Sequence, residues 1–249
     1  MPPLMTGNGA IHIPRARELN ESTKTMMRGV MLQLLVAALG FAGLPACGGP
    51  DATSPGDATT PMPNRTPVVV ALGDSLTAGW GVAENEAYPS LLQARMRAEN
   101  HPHRVLNAGV SGDTTAGALR RLDSALDPDT RVLIVALGAN DGLRGVPIDQ
   151  VRSNLSTIIE RAQARGIRVL LCGMETPPTR GWDYTVAFHR IFPDLAARYQ
   201  VPLMPFLLTG VVGEPSLNLP DGFHPNAAGY RRIALAMWPY LEPLLRETS

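Results

Sequence analysis

Pro67-Val68-Val69-Val70-Ala71-Leu72 runs straight into Gly73-Asp74-Ser75-Leu76, and this junction decides the fold. The run is apolar without alternation, the pattern of a strand covered on both faces, as in a mainly parallel sheet. A second run of the same kind, Arg131-Val132-Leu133-Ile134-Val135-Ala136-Leu137, ends in Gly138-Ala139-Asn140-Asp141. Weaker strand-like runs lie at 104–106, 167–172 and 201–204. Amphipathic helical patterns separate them at 87–99, 114–125, 149–165 and 184–200, and a last one covers about 226–246. Gly166 closes the third helix and Pro225 opens the last, both at favoured positions. Alternating strands and helices predict an α/β fold. It is a doubly wound, three-layer α/β/α sandwich on a mainly parallel sheet of about five strands.

In such a fold, ligands bind outside the carboxyl ends of the strands. Polar residues directly after the runs are therefore the candidates for chemistry. Ser75 follows the run at 67–72, and Asn107-Ala108-Gly109-Val110-Ser111-Gly112-Asp113-Thr114 follows the weaker run at 104–106. Asn140 follows the run at 131–137, and Asp221-Gly222-Phe223-His224 precedes the last helix. A serine hydroxyl is a weak nucleophile unless a base lies within hydrogen-bond reach and a third group holds that base. Asp221 and His224, three residues apart on one turn, can supply both. Acyl transfer also needs donors for the developing oxyanion. Gly112 can offer an unobstructed backbone N–H, and Asn140 a side-chain amide.

Each residue has a plainer role open to it. Ser75 can cap a helix, Gly112 and Asn140 can serve turns, and Asp221 and His224 can cap the last helix. Their joint occurrence in four strand-end turns favours the catalytic reading. Asp74, Asp141, Gly142 and Leu143 flank these positions and are candidate substrate contacts, although the two aspartates suit turn-bracing better. His101, His103 and His189 read as surface residues. Cys172, inside an apolar run, reads as a small core side chain. No Cys/His cluster has the spacing of a metal site.

With these four blocks in chain order, the sequence from about Thr66 onward resembles the SGNH, or GDSL, hydrolase superfamily. Within it, Ser111-Gly112-Asp113-Thr114, Asn140-Asp141-Gly142-Leu143-Arg144-Gly145 and Val201-Pro202-Leu203-Met204-Pro205-Phe206 are similar to the bacterial thioesterase I, arylesterase and lysophospholipase group. Ala139 stands where close relatives often have glycine. The resemblance implies the flavodoxin-like version of the fold and hydrolysis of small acyl esters or thioesters through an acyl-serine. Ser75 would be the nucleophile, His224 the base and Asp221 its orienter. The Ser75 and Gly112 N–H groups and the Asn140 amide would form the oxyanion hole, with no cofactor or metal. Short- to medium-chain esters are expected, with thioesters and lysophospholipids as further substrates. A carbohydrate acetylesterase and a non-catalytic binding module are the alternatives. The resemblance also implies a mobile loop at 142–147 over the acyl pocket.

The chain has 249 residues, with 22 basic and 22 acidic side chains. A zero net charge gives no basis for nucleic-acid binding, and no protein partner is implied. Residues 1–47 read as a leader: Lys24 and Arg28 precede an apolar stretch at 30–44 that is short of the about 20 residues a membrane span needs. That is the layout of a secretory signal, of ordinary length if translation starts at Met26 or Met27. Leu44-Pro45-Ala46-Cys47 resembles a bacterial lipobox, although Pro45 is not favoured there. It implies lipidation of Cys47 and an exported periplasmic or cell-envelope lipoprotein, at the outer membrane. Cleavage nearby, giving a soluble exported protein, is the alternative. Residues 48–66, rich in Asp, Ala, Thr, Ser, Gly and Pro, read as a flexible tether, and 67–249 as the hydrolase domain.

Overall fold

The valine run becomes β1 (Val68–Gly73), and every one of its residues is buried. The structure is a computed structural model that describes residues 65–246, so the leader, Cys47 and nearly all of the expected tether lie outside the described residues. After β1 come α1 (Ser75–Ala78), α2 (Tyr88–Ala98), β2 (Arg104–Gly109), α3 (Thr115–Arg120), α4 (Leu122–Ala125) and β3 (Thr130–Ala136). Then follow α5 (Ala139–Arg144), α6 (Ile148–Gln163), β4 (Arg168–Cys172), α7 (Trp182–Tyr199), β5 (Leu203–Met204) and α8 (Ala227–Arg246). The five strands form one sheet in the order β2-β1-β3-β4-β5, and every neighbouring pair is parallel. Helices α2 and α8 pack together in one layer, and α3, α6 and α7 in the other. This is the three-layer α/β/α fold that the unalternating apolar runs predict.

From β1 the chain steps to β2 on one side and then returns to β3 on the other. The order of connection therefore reverses between β1 and β3, which opens a crevice at their carboxyl ends. Gly73 of β1 is level with Gly109 of β2 and Ala136 of β3, so the three following turns leave the sheet at one height. Gly109 has a steric task here. A Cβ on it would sit 2.2 Å from the Ala78 nitrogen, so only glycine lets α1 lie against the end of β2.

Four local expectations change. Strand β2 runs on to Gly109 rather than ending at 106, and its residues are exposed or half-buried because it pairs with β1 alone. Edge exposure hides it from a reading that looks for apolar runs. Pro225 does not open the last helix. Asn226 caps it, its Oδ1 accepting from the Ala228 and Gly229 N–H groups at 2.9 and 3.1 Å, while Pro225 pairs with Asn218 in an isolated bridge. The segment at 142–147 is no open loop: its first half completes α5, and Gly145 caps that helix in the left-handed region. Finally, His103 is not a surface residue. It is 3 % exposed just ahead of β2, and neither ring nitrogen has a hydrogen-bond partner among the described residues. Burial, with His101 and Arg168 adding to it, pushes its pKa down to about 4. Cys172 is a free, fully buried thiol, and burial pushes its pKa up to about 12, as befits a core side chain. No helix among the described residues is long and apolar enough to cross a membrane.

Candidate active site

Ser75 is the first residue of α1, directly after the end of β1. Asp74, fully buried, caps this helix: its Oδ1 accepts the Leu76 N–H at 3.0 Å. Two tyrosines fasten the helix from below. Tyr88 shares a 2.9 Å hydrogen bond with Thr77, and the Tyr230 hydroxyl donates to the Ser75 carbonyl at 3.5 Å. The serine hydroxyl is thus presented on a short helix that the core holds still.

His224 reaches this point from across the molecule. The turn that carries it is closed at its base by the Asn218–Pro225 bridge and by the Leu219 N–H donating to the His224 carbonyl at 2.7 Å. Its Nε2 lies 3.0 Å from Ser75 Oγ, and its Nδ1 lies 2.7 Å from Asp221 Oδ2. Asp221 Oδ1 accepts the backbone N–H groups of Phe223 and His224, each at 2.9 Å. Those two N–H groups, followed by the His224 side chain, hold the Asp221 carboxyl down at about 2. It is ionised at any working pH.

Asn140 stands in the first turn of α5 and donates from Nδ2 to Asp74 Oδ2 at 3.3 Å. This leaves its second N–H free to point elsewhere. Burial raises the Asp74 pKa to about 6, against the pull of the Leu76 and Asn140 donors. Gly112 has φ +78°, a conformation that L side chains rarely adopt, and its carbonyl accepts from Arg144 Nη2 at 2.9 Å.

The structure brings Ser75, Gly112, Asn140 and His224 together around one cavity of about 700 Å³, with Asp221 directly behind His224. Of the four candidate substrate contacts, Asp74 and Leu143 line that cavity, while Asp141 and Gly142 do not. Asp141 is fully buried, and its oxygens accept from the Thr115 N–H at 2.9 Å and the Thr115 hydroxyl at 2.7 Å. Asn154 of α6 donates to the same hydroxyl at 3.0 Å. Asp141 therefore ties the turn after β2 to the turn after β3 and is a brace rather than a substrate contact.

Several contributors have no signal in the sequence. Arg121 donates to Asp113 at 2.8 Å and to the Gly73 carbonyl at 3.1 Å, which binds the Gly112 turn to the end of β1. Trp80 and Phe223 stand exposed at the cavity, and the Trp80 ring centroid lies 6.1 Å from that of His224. Met174, Phe206, Leu208 and Val212, from the turns after β4 and β5, supply the apolar wall. Nothing in their local sequence separates them from ordinary turn residues. Among the described residues one group of donors outside this site, Glu99, His101 and Glu242, comes within 4.8 Å of one another. Arg95 and Arg246 pair with its two carboxylates, and His101 packs on Trp238, so it reads as an ion-pair cluster.

A hydroxyl, an imidazole and an ionised carboxylate in hydrogen-bonded series, at the switch point of an α/β sheet, can support nucleophilic acyl chemistry. The model of the GDSL-like Lipase/Acylhydrolase family matches residues 71–232, and the chain belongs to that family. It is 40% identical over 178 residues to the esterase TesA of Pseudomonas aeruginosa, a match that covers 71% of this chain and 89% of that protein. It is 36% identical over 182 residues to thioesterase 1/protease 1/lysophospholipase L1 of Escherichia coli, covering 73% and 86%. Among solved structures, the psychrotrophic esterase EstA from a Pseudoalteromonas species, inhibited by monoethylphosphonate, superposes with a TM-score of 0.68 at 32% identity, covering 72% of this chain and 99% of that one.

Proposed function

We propose that the protein hydrolyses short- to medium-chain acyl esters through an acyl-serine at Ser75. The observation that carries this is the unbroken series from Ser75 Oγ through His224 to Asp221, at 3.0 and 2.7 Å. The Ser75 oxygen attacks the ester carbonyl while His224 Nε2 takes its proton. The charge that develops on the carbonyl oxygen is met by the Ser75 and Gly112 N–H groups and by the Asn140 amide. His224 then passes the proton to the departing alcohol as the C–O bond breaks. Water, deprotonated by the same imidazole, releases the acid. Asp221 stabilises the imidazolium in both halves.

The size and lining of the cavity support an acyl chain rather than a bare acetyl group. Its volume is within the roughly 300–1,000 Å³ of small-molecule sites, and its wall is mostly hydrocarbon. Thioesters and lysophospholipids fit the same chemistry, because a thiolate or a glycerol oxygen can leave in place of a simple alcohol. Labelling with a serine-directed phosphonate tests the assignment. One adduct on Ser75, with activity lost in proportion, is expected, and an adduct on Ser111 instead would refute it.

The second part of the proposal concerns location. The charged-then-apolar leader and Leu44-Pro45-Ala46-Cys47 support export and lipidation at Cys47, with 48–66 as a tether. Two or more acyl chains are needed for stable anchoring. Wild-type protein should incorporate labelled palmitate and fractionate with membranes, and Cys47→Ser should lose both properties. Wild-type protein that carries no label would leave the esterase assignment standing without the anchor.

A further inference from the structure

The wall of the cavity in front of Ser75 is largely apolar, and two acidic side chains line it. Glu175, in the turn after β4, lines the cavity. Its Oε1 lies 2.6 Å from Nδ1 of His189 on α7, and its side chain keeps 36% of its surface exposed. Neither residue has a part in the mechanism above. The other carboxylate in the lining is Asp74, whose two oxygens are taken up inside the protein by the Leu76 N–H and the Asn140 amide. Among the described residues, Glu175 is therefore the carboxylate in this wall that a bound substrate can meet.

A carboxylate fixed in an apolar cleft discriminates by charge. An anionic group brought into the same cleft is repelled without the full screening of bulk water, while a neutral group meets no such term. The hydrogen bond to His189 matters for this reason. It holds the glutamate in place, so the carboxylate cannot swing into solvent without losing that partner.

We propose that Glu175 is a charge filter on the substrate, which admits neutral and cationic acyl esters and disfavours esters that carry an anionic group in the cavity, such as half-esters of dicarboxylic acids. The inference rests on the ester-hydrolase reading above and names the class of substrate that the same site selects.

The test compares phenyl butyrate with two anionic esters. Phenyl hydrogen adipate carries the charge on its acyl half, and 4-butyryloxybenzenesulfonate carries it on the alcohol half. For each, kcat/KM is measured in wild type and in Glu175→Gln at low and at high salt. The variant-to-wild-type ratio removes the intrinsic reactivity of each ester. The neutral ester should change by less than about twofold, while at least one anionic ester gains roughly three- to tenfold at low salt and less at high salt. Glu175→Lys should extend the same trend. An anionic-to-neutral ratio that moves in neither variant, with phenyl butyrate still hydrolysed, overturns the filter alone. Wild-type protein that cleaves none of the three and takes no phosphonate at Ser75 overturns the hydrolase reading, and this inference with it.

Discussion

The candidate site is made of two halves that use carboxylates in opposite ways. In the half built on β1, β2 and β3, Asp74 and Asp141 are fully buried and bond only to protein groups. Burial raises the pKa of both, because water that would solvate their charge is missing. In the other half, Asp221 is exposed on a turn, and two backbone N–H groups with its histidine keep it ionised down to about pH 2. The buried pair supplies position and the exposed one supplies charge. Damage to the two halves should therefore show up in different measurements.

The largest expected effect breaks the exposed half. His224→Ala should lower kcat by about 10⁴-fold or more, and Asp221→Asn by about 10⁴-fold, because the imidazole then loses its orienting partner. Asp221 is exposed and His224 only half-buried on the same turn, so the melting temperature should shift by no more than a few degrees. A large loss of stability in Asp221→Asn would show that the turn is a structural element of the fold and would erase the contrast between the halves.

The next effect probes the seam where the halves meet. Asn140→Ala removes a proposed oxyanion donor and should lower kcat by about 10²–10³-fold with little change in KM. It also strips Asp74 of one of its two donors. Near-normal kcat in this variant would assign oxyanion binding to the backbone N–H groups alone.

The buried half should respond in stability first. Asp141→Ala leaves the Thr115 N–H and hydroxyl without their acceptor in a closed interior. That should cost roughly 2–4 kcal/mol, or about 5–15 °C in melting temperature for a domain of this size. Thermal melts of Asp141→Ala and Asp221→Asn side by side test the division directly, and equal shifts would refute it.

The halves also differ in how far the sequence reveals them. Ser75, Gly112, Asn140 and His224 are legible because each follows an apolar run or precedes a helix, and because the chemistry needs those groups. The run at 68–72 announces β1 for the same reason: a strand covered on both faces can carry little that is polar. What holds the site together is less visible. Arg121, Thr115 and Asn154 act across gaps of 48, 26 and 39 residues, and no local pattern marks a residue whose partner is that remote. The exposed edge strand β2 and the two-residue β5 are weak signals because burial, the source of the pattern, is incomplete there.

The smallest expected effect extends the comparison to two histidines. His224 stands at the carboxyl edge of the sheet with a partner on each nitrogen, whereas His103 is buried ahead of β2 with a partner on neither among the described residues. The spacing from Asp221 marks His224 in the sequence, whereas nothing in the residues around His103 marks it as buried. Burial depresses the His103 pKa to about 4, below the roughly 6.5 of an exposed imidazole. The folded state therefore favours the neutral ring. The resulting stability is fully present above about pH 6.5 and is lost as pH falls from there through about 4, where the unfolded chain binds a proton that the folded one resists. The loss should amount to about 2–3 kcal/mol over that window. His103→Leu removes the titrating ring and should flatten this part of the stability–pH curve. Chemical denaturation at pH 7.5, 5.5 and 4.5 measures it. A His103→Leu curve that falls as steeply as the wild type between pH 6.5 and 4.5 would place the acid sensitivity in the carboxylates instead.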